Sequence, residues 1–327
     1  MKGSHACPMC GVYVFNPKHS LSDRLYKTTD EVFRIVECRG CGLLRLDPRP
    51  EEDKMEMYYP DRYWVYGGTR KGLAGIYRSF VLRDHLRFVK KAVKRMGKKQ
   101  ARILDIGCGA GDLLGALRKL GHAGIGLDIS ESALKSAAEL QVPGVRADYD
   151  EPPFADGSFD VVSMFHVLEH VPDPDYAIAV AVRLLNPNGR LVVQVPNADC
   201  MQYAILGRFW IGLDVPRHTY AYRRLDLEQL FQRNGLVITR RKYFSWRDNA
   251  PSLATSLAPW LDPMSRRVRR PKQANILRLC GDLAYFALTL ACWPFAIFES
   301  IFRRGATIMV EGEKTESERA EGEKTRG

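Results

Sequence analysis

Four cysteines stand in two pairs near the start of the chain, Cys7-x-x-Cys10 and Cys38-x-x-Cys41. Each pair spans a turn tight enough to aim two thiolates at one ion. Four thiolates fill a tetrahedral zinc shell and leave no position for a substrate water. The spacing therefore predicts a zinc ribbon with a structural ion, in preference to two redox-active thiol pairs. A second constellation starts at Arg102, in RILDIGCGAGDLL, where Asp105 stands two residues ahead of Gly107, Gly109 and Gly111. A strand that ends in glycines and runs into a helix is a cradle for a nucleotide, because helix N-terminal amides point at the ligand and glycine lets the backbone approach it. A dinucleotide fingerprint has the form G-x-G-x-x-G. The G-x-G-x-G spacing here argues against NAD.

Two more acids extend this pattern. Asp128, followed by Ile129, ends the run GIGLDIS about 20 residues after the first acid, the place of a carboxylate that grips ribose hydroxyls. Asp148 follows the next strand, within reach of an adenine edge. Histidine suits proton transfer near neutral pH, and three histidines are candidates: His166 and His170 in FHVLEHVPDP, and His218 in VPRHTYAYR. The H-x-x-E-H spacing resembles an inverted zincin motif. It lies at a strand end and is closed by Pro172 and Pro174, so the long zinc-binding helix has no room. Glu169 and His170 read as structural. His218 is either a base or a cap for the next helix.

The elements that must position these residues alternate from residue 101 onward. Strands are predicted at 102–106, 123–128, 143–147, 158–164, 190–195 and 236–244, with turn signals between them. Alternation of this kind gives an α/β fold, a doubly wound parallel sheet with helices on both faces. Upstream, 1–50 reads as the zinc ribbon, and 51–100 as a Tyr-rich connector followed by a basic amphipathic helix near Ile76–Met96. Residues 101–244 form the nucleotide-binding core. Residues 245–305 form a hydrophobic and basic helical insertion, and 306–312 the last core strand, from ATIMV. The tail at 313–327 repeats EGEKT, has almost no apolar residue, and is expected to be disordered.

Composition bounds the partners. The net charge of +11 is concentrated in nine basic residues between Arg83 and Arg102 and five in RRVRRPK, Arg266–Lys272. Such clusters meet nucleic acid or an anionic membrane, but on a helix the first cluster reads as a solvated face. The four other cysteines are scattered, and MKGSHACPMC has no apolar signal region, so a reducing cytoplasm is expected. Within the insertion, Leu283–Phe298 carries no charge in 16 residues. A helix apolar all round is core or lies in lipid. Flanking strands of one sheet exclude a single crossing. Pro294 is expected to interrupt the helix, leaving a re-entrant hairpin with Ala250–Met264 as its first limb, or a monotopic helix pair. The alternative is a lid or dimer interface.

Five segments in order, ILDIGCGAGD, GLDIS, PFADGSFDVV, HVLEHVPDP and LLNPNGRLVVQVPN, resemble the class I S-adenosylmethionine-dependent methyltransferases. The resemblance spans about 101–244 plus 306–310. It implies a Rossmann-like seven-stranded sheet with an antiparallel last strand, and S-adenosylmethionine as the cofactor. By resemblance, Asp105 orients the methionine amino group, and Gly107–Gly111 pass beneath methionine and ribose. Asp128 takes the ribose hydroxyls and Asp148 the adenine amine, while Phe165 and His166 lie near the sulfonium. His218 and Tyr220 would line the acceptor pocket, with His218 as base. The function implied is methylation of a small or lipid-linked acceptor (a glycolipid, polysaccharide intermediate or quinone-like molecule). The membrane surface would be reached through 250–302, making the protein peripheral or monotopic at the inner face. An RNA methyltransferase with the ribbon as RNA-binding module is the alternative. The Phe165-His-Val-Leu segment argues against it, because base N-methylation uses an Asn/Asp-Pro-Pro-Tyr segment there.

Overall fold

The computed structural model describes residues 5–60 and 72–315. In chain order the strands are β1 (Phe15–Leu21), β2 (Phe33–Cys38), β3 (Leu44–Leu46), β4 (Arg102–Ile106), β5 (Ala123–Asp128) and β6 (Gly144–Arg146). They continue with β7 (Phe159–Phe165), β8 (Leu185–Pro196), β9 (Tyr220–Ala221), β10 (Leu236–Lys242) and β11 (Thr307–Lys314). The helices are α1 (Glu52–Met55), α2 (Gly72–Arg95), α3 (Asp112–Arg118), α4 (Glu131–Ala138) and α5 (Pro174–Leu184). After them come α6 (Met201–Leu206), α7 (Arg224–Arg233), α8 (Asn249–Leu257), α9 (Pro263–Arg269) and α10 (Asn275–Ile301). Most of the predicted tail lies outside the described residues.

The chain divides into two compact units. Among the described residues the first unit holds 5–60, 196–226 and 243–308, and the second holds 72–195, 227–242 and 309–315.

The second unit is framed by a seven-stranded sheet in the order β10-β11-β8-β7-β4-β5-β6. Strands β4, β5, β6, β7 and β8 run parallel, with Ile103 opposite Val161 and Leu104 beside Ile125. Strands β4, β7 and β8 are buried on both faces, which is why they read as short apolar runs rather than as alternating ones, whereas β6 is an exposed edge. Strand β11 lies antiparallel to β10, from Leu236 opposite Lys314 to Lys242 opposite Met309. This is the doubly wound sheet with an inverted last strand that the sequence leads one to expect. Strand β8 starts earlier than predicted, at Leu185, and carries Asn186-Pro-Asn-Gly189 within it. Ile103, Leu114, Val161 and Val192 are fully buried at the centre of the core. Helix α2 contributes Phe88, Val89, Ala92 and Val93 to this core while Arg83, Arg87, Lys90 and Lys94 stay exposed, as its amphipathic pattern requires.

The first unit contains a four-stranded sheet, β1-β2-β3-β9. Residues 196–226 follow β8 in sequence, inside the expected 101–244 core, yet they pack here. Strand β9 pairs antiparallel with β3, Leu44 opposite Ala221 and Arg45 opposite Tyr220. Trp210, Leu213, Val215 and Ala221 share one buried cluster with Phe33, Ile35, Leu44 and Leu46. At the edge of this cluster Arg217 is fully buried between two acids. Its Nη2 donates to Asp23 Oδ1 at 2.9 Å and to Asp214 Oδ1 at 2.7 Å.

The insertion forms three helices. The expected first limb, Ala250–Met264, is broken between α8 and α9, where Asp262 accepts from the amide of Ser265 at 2.7 Å and caps α9. Pro294 does not interrupt the last helix. It lies inside α10 at an exposed position, where loss of one N–H leaves a carbonyl that water can satisfy.

Candidate active site

The second unit builds the glycine cradle at the C-terminal ends of its central parallel strands, the usual place for a ligand in an open α/β sheet. Gly107, Gly109 and Gly111 all have positive φ, at 70°, 51° and 72°. A Cβ on Gly111 would meet Ala137 Cβ at 2.8 Å, so this glycine lets α3 pack on α4. A Cβ on Gly109 would meet nothing within 4 Å. That is open space beside a bare backbone, where a ligand can approach. The amide of Gly109 donates to Asp128 Oδ2 at 2.9 Å, and the amide of Ser130 donates to Oδ1 at 2.8 Å. Burial raises the Asp128 carboxyl, and these two amides oppose the rise. Ile129, next to it, is 55% exposed and offers an apolar surface. Asp148 is exposed in the loop after β6.

Asp105, at the end of β4, is buried and accepts from Ser163 Oγ at 2.6 Å. Burial pushes its carboxyl up to about 7; Ser163 opposes the shift and the nearby Asp128 charge adds to it. A cationic group is what such a carboxylate lacks. S-adenosylmethionine carries an ammonium, a sulfonium, two ribose hydroxyls and an adenine, and this set of carboxylate acceptors and open backbone suits it.

At the end of β7 the chain places Phe165, and just beyond it His166. The His166 backbone is left-handed, with φ 57°. Its ring is held on both sides: Nδ1 lies 3.1 Å from Glu169 Oε1, and Nε2 lies 2.9 Å from Gln194 Nε2. Gln194 Oε1 is in turn 3.1 Å from His85 Nε2, and the His85 ring stacks on Phe165 at 4.3 Å. Because an amide nitrogen only donates, His166 Nε2 accepts and Nδ1 donates to Glu169. Sequence reading missed His85 and Gln194. The one signal was a histidine on the apolar side of α2.

The first unit holds the other predicted residues. His218 Nδ1 lies 2.9 Å from the carbonyl of Gly212. A carbonyl only accepts, so Nδ1 carries the proton and the lone pair of the neutral ring sits on Nε2. Tyr220 is buried in β9 with its ring 5.9 Å from that of Tyr222. Cys7, Cys10, Cys38 and Cys41 gather their Sγ atoms within 4.8 Å of one another, with Cys7–Cys41 at 3.5 Å and Cys10–Cys38 at 3.4 Å. Thiolates around a tetrahedral zinc with bonds of about 2.3 Å stand about 3.8 Å apart, so the four donors fit this ion.

A family model described as a methyltransferase domain matches residues 77–240. The ubiquinone biosynthesis O-methyltransferase of Thiobacillus denitrificans is 36% identical over 164 residues, covering 46% of this chain and 69% of that protein. The enzyme of the same name from Pseudomonas aeruginosa is 35% identical over 143 residues, covering 40% of this chain and 60% of its own length. A solved structure of an S-adenosylmethionine-dependent methyltransferase from Thermotoga maritima is 16% identical, covers 72% of this chain and 92% of that one, and has a TM-score of 0.44. The family match begins after the cysteine pairs and ends before α8. With the parallel sheet, the inverted last strand and these relatives in agreement, the chain belongs to the class I S-adenosylmethionine-dependent methyltransferases.

Proposed function

We propose that the enzyme methylates a hydroxyl of a small, quinone-like acceptor that is lipid-soluble or lipid-linked. The observation that carries this reading is the 36% identity to ubiquinone biosynthesis O-methyltransferases over 164 residues. When bound, S-adenosylmethionine supplies a methyl group already activated on a sulfonium. Asp105 holds the methionine ammonium, the Gly107–Gly111 backbone lies under methionine and ribose, and Asp128 accepts from the ribose hydroxyls. Ile129 covers one face of the adenine, and Asp148 meets its amine. Phe165 and His166 border the sulfonium end, with His166 fixed by Glu169 and Gln194 as a neutral donor–acceptor.

His218 is the base that takes the acceptor's hydroxyl proton. What supports this is its tautomer: Gly212 holds the proton on Nδ1, so the lone pair faces away on Nε2. Tyr220, two residues on, helps shape the pocket wall. The four cysteines hold a structural zinc that stiffens the sheet to which β9 belongs. A lipid-soluble acceptor sets the enzyme at the cytoplasmic face of a membrane.

The test is methyl-labelled S-adenosylmethionine with the protein and a cell extract, partitioned into lipid, aqueous and macromolecular fractions. Label in a quinone-like lipid supports the reading. Label in the aqueous phase replaces the acceptor with a soluble metabolite, and label in RNA overturns it.

A further inference from the structure

We infer that α10 seats the protein in the plane of an anionic lipid surface, half-embedded along its length and without crossing. The inference deepens the proposed function and rests on it only for the lipid-soluble acceptor; the surface itself is argued from the first unit alone.

One side of α10 is packed and polar where polar groups find partners. Thr289, Cys292, Ala296 and Glu299 are buried, with Cys292 and Ala296 against Ala250 and Ala254 of α8. Tyr285 Oη pairs with Thr255 Oγ1 at 2.9 Å. The two ends are tied down. Asp282 is paired with Arg266 of α9. Glu299 accepts from Gln202 Nε2 at 2.8 Å and from the amide of Ala306 at 3.2 Å.

The other side is apolar from end to end. Leu279, Leu283, Phe286, Leu290, Ile297 and Ile301 are each 46% exposed or more, at steps of 4, 3, 4, 7 and 4 residues. Every exposed residue from 279 to 302 is uncharged. At 1.5 Å per residue this stripe is about 35 Å long. A soluble monomer does not normally leave such a stripe in water.

Length and hydropathy would let α10 cross a bilayer, with 22% of its most apolar window buried. The packing does not. Both ends and much of one flank are bonded into the same compact unit, and a crossing helix would strand its Asp282 and Glu299 partners in hydrocarbon.

Charge identifies the occupant. Arg267, Arg269, Arg270 and Lys272 are exposed before the helix and Arg303 and Arg304 after it, and the partly exposed carboxylate of α10, Asp282, is paired with Arg266. An apolar stripe with a basic rim at both ends matches acyl chains beneath anionic headgroups. A second copy of the chain would bring its own six cations to the same edge.

The experiment is co-sedimentation of the full chain with vesicles of phosphatidylcholine alone and with phosphatidylglycerol added. The parent is expected to pellet with the anionic vesicles and to lose at least about tenfold in partitioning between about 0.05 and 0.5 M salt. Two variants, L283D/L290D and R269Q/R270Q/K272Q, are each expected to lose about tenfold or more while keeping S-adenosylmethionine affinity and melting temperature. A parent that stays in the supernatant overturns the inference, as does an L283D/L290D variant that pellets like the parent. A dimer that dissolves in L283D/L290D would give the stripe to a second copy instead. Failure of the parent to bind S-adenosylmethionine would sink the proposed function and leave the vesicle result standing.

Discussion

The amide of Gly109 donates to Oδ2 of Asp128 at 2.9 Å, so the carboxylate that ends β5 also pins the turn that ends β4. One side chain thus shapes the cradle and, in the proposed function, takes the ribose hydroxyls. Asp128→Ala removes both effects. With about 1.5–3 kcal/mol for each hydrogen bond to a charged group, S-adenosylmethionine affinity is expected to fall by at least about a hundredfold, read by calorimetry. An unchanged Kd would remove Asp128 from the ribose site.

Burial raises Asp105 from 3.8 to about 7. The folded state therefore holds a proton that the unfolded state has lost, and this carboxyl's contribution to stability falls as pH rises through that window. Binding of an ammonium reverses the preference, because only the ionised carboxylate pairs with it. S-adenosylmethionine affinity is expected to rise as pH passes through about 7, with proton release on binding, and Asp105→Asn is expected to flatten that dependence. Equal slopes in the two proteins would show that Asp105 does not meet the ligand.

Arg217 and Asp23 are both fully buried. Burial alone would raise the Asp23 carboxyl, but the bonds and charge of Arg217, with help from Thr28, outweigh it and hold the carboxyl at about 2, below its ordinary 3.8. The sign is that of a depressed acid: its stabilisation is complete above 3.8 and drains away as pH falls toward 2. Arg217→Ala leaves that charge buried and unpaired, at about 3–5 kcal/mol by urea unfolding at neutral pH. A loss below about 1 kcal/mol would return this triad to the class of surface pairs.

His218→Ala is expected to lower kcat by about 10²–10⁴ and to leave the Kd for S-adenosylmethionine unchanged. His218→Gln tests the same point with less loss of volume. Full turnover in both variants would make His218 a structural residue that only bonds to Gly212.

The thiolate centre predicts one zinc per chain by elemental analysis. A strong chelator, or Cys38→Ser, is expected to release it and lower the melting temperature, since the binding energy of a structural zinc is folding energy. A chain that purifies without metal and melts at the same temperature in chelator would overturn the assignment.

What the sequence made legible follows from locality. Strands β4 and β5 match their predicted bounds because each is a short run marked by a local turn signal, Gly107 after β4 and Gly121 before β5. The cysteine quartet was readable because each half is a local turn. The first unit was harder to read. Strand β9 is only two residues long, too short for any alternation, and nothing near it in sequence announces that its partner is Leu44–Arg45. Asp23 and Arg217 stand 194 residues apart, and His85 and Gln194 109 apart. Their types are ordinary until the fold puts them in contact. Pro294 misled for another reason: a proline breaks a helix where its missing bond matters, and on an exposed face packing of the opposite side outweighs that cost.

The pairing of β9 with β3 also sets a timetable for biosynthesis. A ribosome emits the cysteine pairs well before Tyr220–Ala221, the strand that completes their sheet, and helices α8, α9 and α10 of the same unit come later still. The nucleotide-binding sheet waits for β11, more than 60 residues after β10 in sequence, to fill the gap between β8 and β10. Neither unit can close while the chain is still short. Both are pieced together from distant segments, so folding is expected to be slow for the number of residues involved. During synthesis the nascent chain exposes the edge of β3 and the apolar flank of β8, the surfaces that a holding chaperone would have to cover.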